Sequence, residues 1–497
     1  MISGRWALCS WFVVLGCSTG GSGGTQHPSR DASVEAAPIG TPDAVADVRP
    51  PDSAASAPDQ GPPWAPGMAL PSLSAGPRGL LDLRGLIHEH SIHSHDACDN
   101  KPRSDAGVFD QACLADFRRG LCDARHDYVM LTDHPTFFVD VEYPEALLYD
   151  AARGDVLIER GGSPVANRAA CPDGTSTLLL GGTEASSPNF MPVGLERHVA
   201  GDPAARTAIY QSDTQAASDA YRAAGGVTLV AHTEGYTPDD LVRLPIEGFE
   251  MYNLHANLKL NLAAAVGLLG KLTKPDELMV SDLVLLPVIS EDPAYVDTWG
   301  TVLARGAKRV TTMGTDAHRN SFPPKLPDGD RIDSWSRMNR WFSNHLLVTP
   351  GADGGWDDRS LKDALRGERL YGVFEVLGYA AGFDFHAEEG TTAREMGDEA
   401  SLAGSPALVV TAPHVRRLDP AADPPEITVR LLRAIEGGWE EVAAGPGDLR
   451  HAPTRAGAYR AEVRMKPRHL AAFLHSYQAL ATQDFAWIYS NAIHVVP

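Results

Sequence analysis

The sequence predicts an α/β barrel followed by a smaller antiparallel β domain. From Leu80 to about Gly367, short Val-, Leu- and Thr-rich runs alternate with helical stretches, which is typical of parallel strands joined by right-handed crossovers. Almost every run is followed by a histidine or a carboxylate, whereas an open sheet gathers its ligands at one switch point. This distribution favours a barrel that carries its functional residues at the C-terminal ends of the strands.

The candidate ligands follow apolar runs of the length expected for buried strands. The runs 83–87, 128–132, 178–183, 227–231 and 309–315 precede, in that order, His88 and His90, Asp133 and His134, Glu184, His232, and Asp316 and His318, while His198 lies between the third and fourth runs. We therefore expect one polar site at the end of the strand bundle.

Helical patterns separate these runs. Residues 110–125 place Cys113, Phe117 and Leu121 four residues apart on one apolar stripe. Further helices are predicted over 215–224, 258–272 and 294–305, and Gly306 is a plausible end for the last of them.

The spacing within the polar sites restricts their geometry. In extended backbone, side chains at i and i+2 point to the same side, so His88 with His90, and Asp316 with His318, could each hold one ion together. Adjacent side chains point to opposite sides. We therefore expect His134 to face the metals and Asp133 to lie behind it and orient the neighbouring groups.

The overall charge excludes one class of partner. The chain has 497 residues, a formal net charge of -21 and no Lys- or Arg-rich block. Nucleic-acid binding needs such cations to contact phosphates, so no nucleic-acid groove is expected. The expected partner is a small-molecule substrate, which bound cations would attract if it is anionic.

The N-terminus is predicted to be processed. Arg5 and the apolar stretch 6–16 form a signal peptide within residues 1–17, and the residues before Cys17 resemble the lipobox of bacterial lipoproteins. The Gly/Ser/Pro/Ala-rich segment 18–78 should be a disordered tether. The expected location is the cell envelope, with a membrane anchor through lipid on Cys17, and secretion after plain cleavage is the alternative.

Cysteine usage agrees with export. Cys98, Cys113, Cys122 and Cys171 lie in the first folded domain, and an even number in an exported protein predicts two disulfides. Three connectivities are possible.

The sequence pattern changes after Gly367. Val-, Leu- and Thr-rich runs at 407–411, 427–432 and 486–489 are separated by Gly, Pro and Asp. This pattern predicts a sandwich-like antiparallel β domain over residues 368–497.

Several motifs resemble those of the PHP superfamily, the polymerase and histidinol phosphatase domains. They are His88-Glu-His90-Ser91 followed by Ser94-His-Asp96, then Leu131-Thr-Asp-His134, Gly182-Thr-Glu184, Val230-Ala-His232, Phe249-Glu-Met-Tyr-Asn253 and Gly314-Thr-Asp-Ala-His318. They cover residues 80 to 320 in the family's order. Export and the trailing β domain are most similar to the carbaryl-hydrolase-like branch.

The resemblance implies a distorted seven-stranded barrel over residues 79–367 that holds two or three divalent ions. One ion would be held by His88, His90, Glu184 and Asp316, a second by Glu184, His198 and His232, and a third by Asp96, His134 and His318. Mixed imidazole and carboxylate ligands suit zinc, manganese or ferrous iron.

The expected activity is metal-dependent hydrolysis, with water activated between two ions as the nucleophile. Asp133 and Arg319 could assist, Arg319 by contacting a phosphate. A phosphoesterase of the PHP type is favoured. A carbamate, ester or amide hydrolase and a non-catalytic, metal-stabilised envelope lipoprotein are the alternatives.

Overall fold

Strands dominate the fold, and most of them belong to one mixed sheet. The computed structural model describes residue 59 and residues 61–497, apart from 187–188, 259–266, 269 and 273. The described strands are β1 Ser74–Ala75, β2 Leu81–Glu89, β3 Tyr128–Leu131, β4 Val156–Arg160, β5 Ser163–Ala170, β6 Ser176–Gly182, β7 Phe190–Leu195, β8 Val227–Val230, β9 Gly248–Asn253, β10 Val310–Gly314, β11 Ser343–Val348, β12 Leu370–Val373, β13 Ala380–Ala381, β14 Asp384–Glu389, β15 Thr392–Arg394, β16 Glu399–Ser401, β17 Ala407–Thr411, β18 His414–Val415, β19 Glu426–Ile435, β20 Gly438–Gly445, β21 Leu449–His451, β22 Gly457–Lys466, β23 Phe485–Ser490 and β24 Ile493–Val496.

Short helices connect the strands of the first part of the chain. They are α1 Ala97–Asn100, α2 Gln111–Ala124, α3 Pro135–Phe138, α4 Pro203–Tyr210, α5 Gln215–Ala223, α6 Pro238–Arg243, α7 Leu254–Leu258, α8 Pro293–Ala304, α9 Trp335–Met338 and α10 Asp358–Arg366.

The predicted helices are confirmed where the structure describes them. The Asp110 side chain caps α2, whose buried face contains Cys113, Phe117 and Leu121. The predictions over 215–224 and 294–305 correspond to α5 and α8, and Gly306 follows α8 with a φ of 81°. Most of the helix predicted over 258–272 lies outside the described residues.

Seven strands follow one another around the site. β2 pairs with β3 and β3 with β6 in parallel, β7 pairs with β6 and β8 antiparallel, and β8, β9 and β10 are parallel neighbours. A parallel bridge between Glu89 and Ala317 links the end of β10 to β2. The strand ends that carry the predicted ligands therefore meet at one end of the sheet.

β7, which none of the predicted apolar runs covers, pairs antiparallel with both of its neighbours. Only residues 183–189 separate β6 from β7, and no helix is described among them. A connection of this length cannot carry the chain back for a parallel pairing, so β7 runs antiparallel to β6.

The C-terminal part is largely antiparallel β structure. β19 pairs with β20 and β22, and β22 pairs with β23. β14, β15, β17 and β21 form a separate antiparallel sheet. β12 joins β23 to β11, which pairs with β2, so the main sheet continues across the predicted boundary at residue 367. The described residues cluster as one compact unit.

The tether prediction is wrong for residues 61–78. Trp64 and Leu70 are buried, and the Trp64 amide donates to the Arg417 carbonyl at 2.7 Å. Their apolar side chains find partners, among them Tyr379, whose ring packs edge-on against Trp64. The signal peptide, Cys17 and the rest of the tether up to residue 58 lie outside the described residues.

Two disulfides select one of the three possible connectivities. Cys98 bonds to Cys113, and Cys122 bonds to Cys171.

Within the part of the chain that the structure describes, no helix is both long and apolar enough to cross a bilayer.

Candidate metal centre

The centre is built from residues at or just beyond strand ends. β2 carries His88 and leads into His90, and the ends of β3, β6, β8 and β10 are followed by His134, Glu184, His232, and Asp316 and His318. The strands are buried, and their pairing fixes the backbone positions from which these side chains project.

Four of the side chains converge in a first group. One ligand atom from each of His88, His90, Glu184 and Asp316 lies within 4.8 Å of the others. The Nε2 atoms of His88 and His90 are 3.1 Å apart, and each lies 3.3 to 3.4 Å from Glu184 Oε2 and from Asp316 Oδ1. All four side chains are buried. This is the set that the resemblance implied for one ion.

A second group shares His90 with the first. His90, His134 and His318 bring their ring nitrogens within 4.8 Å of one another. Asp96 Oδ2 completes this group, 3.5 Å from His134 Nε2 and 3.4 Å from His318 Nε2. The His90 and His318 rings stack with their centroids 3.7 Å apart.

The two carboxylate oxygens of Glu184 contact different ligand residues. Its Oε2 contacts His88 and His90, whereas its Oε1 lies 3.2 Å from His232 Nε2. His232 Nε2 is also 3.3 Å from Asp316 Oδ2. The two carboxylates therefore offer one oxygen each to a second position beside the first.

The backbone is bent at three of the ligand residues. The φ values of His88, His232 and Asp316 are 80°, 52° and 54°, which lie in a backbone region that residues other than glycine rarely adopt. Such conformations cluster at functional sites, where surrounding structure maintains the strain. They also break simple strand alternation. His88 and His90 still meet, but Asp316 and His318 fall into different groups rather than holding one ion together.

Each imidazole in the two groups is held through Nδ1, which leaves Nε2 aimed at the cluster. The Nδ1 atoms of His134 and His318 bond to the carbonyls of Glu184 and Asp316, both at 2.9 Å. His88 Nδ1 lies 2.6 Å from Glu250 Oε1, and His90 Nδ1 lies 3.1 Å from Ser94 Oγ. Metal-binding histidines are usually held in this way.

Charge inside the cluster shifts pKa values in opposite directions. Burial alone would lower the pKa of His88, but the carboxylates of Glu250, Glu184 and Asp316 raise it well above its ordinary value. Burial would raise the pKa values of Glu184 and Asp316, yet the adjacent imidazoles hold both well below the usual range. The carboxylates are therefore ionised and create a field that favours a cation.

The donor set fits divalent ions. Asp316 Oδ1 and His318 Nε2 are buried without a hydrogen-bond partner. Such atoms cost free energy unless another species binds them. Imidazole nitrogens and carboxylate oxygens without thiolate suit zinc, manganese or ferrous iron.

Asp133 and Arg319 lie beside the cluster and contact other residues. Asp133 accepts from the Ser91 amide at 2.6 Å and from its hydroxyl at 2.7 Å, which fixes the turn directly after His90. The Arg319 guanidinium pairs with Asp116 at 2.8 Å. Its role as a phosphate contact stays a prediction.

The structure does not bring His198 to the cluster. Its Nε2 lies 2.7 Å from the Val141 carbonyl and its Nδ1 lies 3.2 Å from the Tyr210 hydroxyl, so both ring nitrogens have partners. Phe138 packs against the ring. His198 thus forms part of the packing around α3 and α4.

Sequence reasoning missed His255. Its Nδ1 lies 3.3 Å from Asp316 Oδ2, and it stands on α7, directly after β9. The signal was the strand end at Glu250 and Asn253, where a histidine follows two residues later.

Comparison with known proteins gives one structural likeness. No protein-family model matches the chain, and no curated protein matches it. The chain is similar to the crystal structure of a two-domain protein from Bacteroides vulgatus ATCC 8482, described as containing a predicted PHP-like metal-dependent phosphoesterase. The sequences are 12% identical, the TM-score is 0.31, and the likeness covers 84% of this chain and 96% of that one.

Proposed function

We propose that this chain is a metal-dependent hydrolase of the PHP type, and most specifically a phosphoesterase. Strands β2, β3 and β6 to β10 would form its distorted seven-stranded barrel. The convergence of ligands from five strand ends supports this proposal, because the chain brings them together from positions up to 230 residues apart, from His88 to His318.

The ligands divide into three positions. His88, His90, Glu184 and Asp316 would hold one ion at the first position, Glu184, Asp316 and His232 face the second position, and Asp96, His134 and His318 would hold an ion at a third. Bound divalent ions would supply water of lowered pKa and neutralise charge that develops on the attacked group.

The protein's own groups prepare this chemistry. Glu250 and Ser94 orient His88 and His90, so little reorganisation is needed when ligands and substrate bind. The first group is buried, whereas the His232 side chain is 23% exposed and marks the side from which substrate can approach.

A parallel substrate screen tests the activity. The protein loaded separately with Mn²⁺, Zn²⁺ and Fe²⁺ is assayed with p-nitrophenyl phosphate, bis(p-nitrophenyl) phosphate and a naphthyl carbamate. His90→Ala, prepared identically, measures contaminating hydrolases. We expect phosphate-ester hydrolysis above that blank. Faster carbamate cleavage would favour the alternative hydrolase, and no turnover with any loaded metal would reject an enzyme of either kind.

We also propose that Cys17 anchors the protein to the membrane through lipid. The support is the apolar stretch 6–16 and the residues preceding Cys17. Membrane fractionation of the full chain should find it in the membrane fraction, and Cys17→Ser should release it. Equal fractionation of both forms would reject the anchor.

A further inference from the structure

We propose that His255 is a ligand at the second position of the centre, the place that sequence reasoning gave to His198. This inference rests on the proposed metal-dependent function and adds one residue to its ligand set. It also predicts that the ion at this position is the most exchangeable one.

The contacts place His255 on the outer side of Asp316. Asp316 Oδ2 lies 3.3 Å from His255 Nδ1 and 3.3 Å from His232 Nε2. His232 Nε2 in turn lies 3.2 Å from Glu184 Oε1. Two imidazole nitrogens and two carboxylate oxygens are thus joined by contacts of 3.2 to 3.3 Å. These donor types match those of the first group.

His198, the alternative ligand, has no free ring nitrogen. Both ring nitrogens of His198 bond to neighbours, and ligating an ion would require breaking the bond to Val141 or to Tyr210. Without His198 the second position would have only Glu184, Asp316 and His232. His255 would bring the protein donors at this position to four, the number found in the first group.

The start of α7 is tied to the first group. Asn253 accepts from the Ala256 amide at 2.9 Å and donates to Glu250 Oε2 at 3.2 Å. Glu250 holds His88 through its other oxygen and accepts from the His232 amide at 3.3 Å. One carboxylate therefore positions a ligand of the first group, a ligand of the second position and the turn that bears His255.

Exposure distinguishes the two positions. His88 and His90 are fully buried, whereas the side chains of His232 and His255 are 23% and 33% exposed. His255 also lines a small recess together with Asp316 and His318. An ion at the second position would have partly exposed ligands and should leave before an ion held by the buried first group.

Metal binding tests the role of His255 independently of turnover. Wild type, His255→Ala, His255→Gln and His198→Gln are titrated with Zn²⁺ against a chromophoric chelator, and bound Zn²⁺ is counted by mass spectrometry. The Co²⁺ forms are compared by visible absorption, which reports the ligands of the ion. Circular dichroism and thermal unfolding verify the fold of each variant.

We expect His255→Ala to weaken the weakest binding step by more than the roughly 10–100-fold typical of losing an outer partner, and to change the Co²⁺ spectrum. His198→Gln should retain all binding steps, because glutamine can still donate to Val141. Glutamine at 255 could still hydrogen-bond to Asp316, so full recovery in His255→Gln would overturn ligation in favour of positioning. Unchanged binding in His255→Ala would also overturn it, as would loss of an ion in a folded His198→Gln.

The same titration separates this inference from the proposed function. If wild type binds less than one ion, the metal-dependent function itself fails. If wild type binds two or three ions and the His255 variants bind them equally well, only the role of His255 is rejected.

Discussion

The two ends of β2 both gather buried charge, but in different ways. Near its start, Arg84 pairs with Glu375 at 2.8 Å and donates to the backbone carbonyl of Leu70, while Asp82 pairs with His345 at 2.8 Å. At this end, protein cations face protein anions.

At the other end of β2, the ligand atoms face one another. His88 and His90 aim their Nε2 atoms at the same point, and ionised carboxylates surround them. Asp316 Oδ1 has no hydrogen-bond partner. Burial of charge alone therefore does not indicate a metal site. The arrangement of the donors does, because at one end each charged group faces a partner of opposite charge, whereas at the other several ligand atoms converge on one point.

Removing His90 should have the largest effect, because this residue belongs to both ligand groups. His90→Ala should lose more than one metal equivalent. Its turnover should fall by more than the roughly 10²–10³-fold that loss of one oxyanion donor costs. Metal analysis and kcat measurements check this.

His451→Ala on β21 is a matched control, since that histidine lies in the C-terminal sheet. It should keep both metal content and turnover. A His90→Ala protein with wild-type metal content would show that the two groups do not share this ligand.

Replacing Arg84 should disrupt the ion pairs near the start of β2 without changing the metal content. Arg84→Met removes the guanidinium partner of the buried Glu375 carboxylate, which should lower the free energy of unfolding by about 3–5 kcal/mol. Urea unfolding measures the loss, and metal content should stay at the wild-type value.

Arg450→Met is the control, because the Arg450–Glu388 pair is exposed to solvent and should contribute little to the free energy of unfolding. If Arg84→Met cost no more than this control, or if it lost metal, the two ends of β2 would not be independent as described.

The smallest effect concerns pH. Burial would lower the pKa of His345, but Asp82 and Glu375 raise it to about 9. A raised pKa contributes stability that is complete below the unfolded value of about 6.5 and is lost as the pH rises through 9. Thermal unfolding of chelator-treated wild type and His345→Gln should therefore converge between pH 6 and 10. A gap that widens over this range would contradict the assignment.

Much of the candidate site could be predicted from the sequence, because strand ends have a local signature. Apolar runs that end in His, Asp or Glu identified His88, His90, Glu184 and Asp316, which the structure brings together. The parallel pairing of β2, β3 and β6 agrees with the predicted α/β class.

Other features depend on tertiary contacts that no local pattern encodes. His198 follows a strand, yet Val141 and Tyr210 occupy both its nitrogens. His255 lies within a helix, where a histidine usually signals packing or solvent exposure. The burial of Trp64 depends on distant Tyr379, so composition alone assigned its segment to the tether.

We propose that the end of β2 holds a polynuclear metal centre. The most direct test is the metal content of the described domain, purified without chelator and measured by mass spectrometry. We predict at least two equivalents of divalent metal per chain, which prolonged treatment with a strong chelator removes. Less than one equivalent, including after incubation with Zn²⁺, Mn²⁺ or Fe²⁺ and removal of excess, would contradict the account.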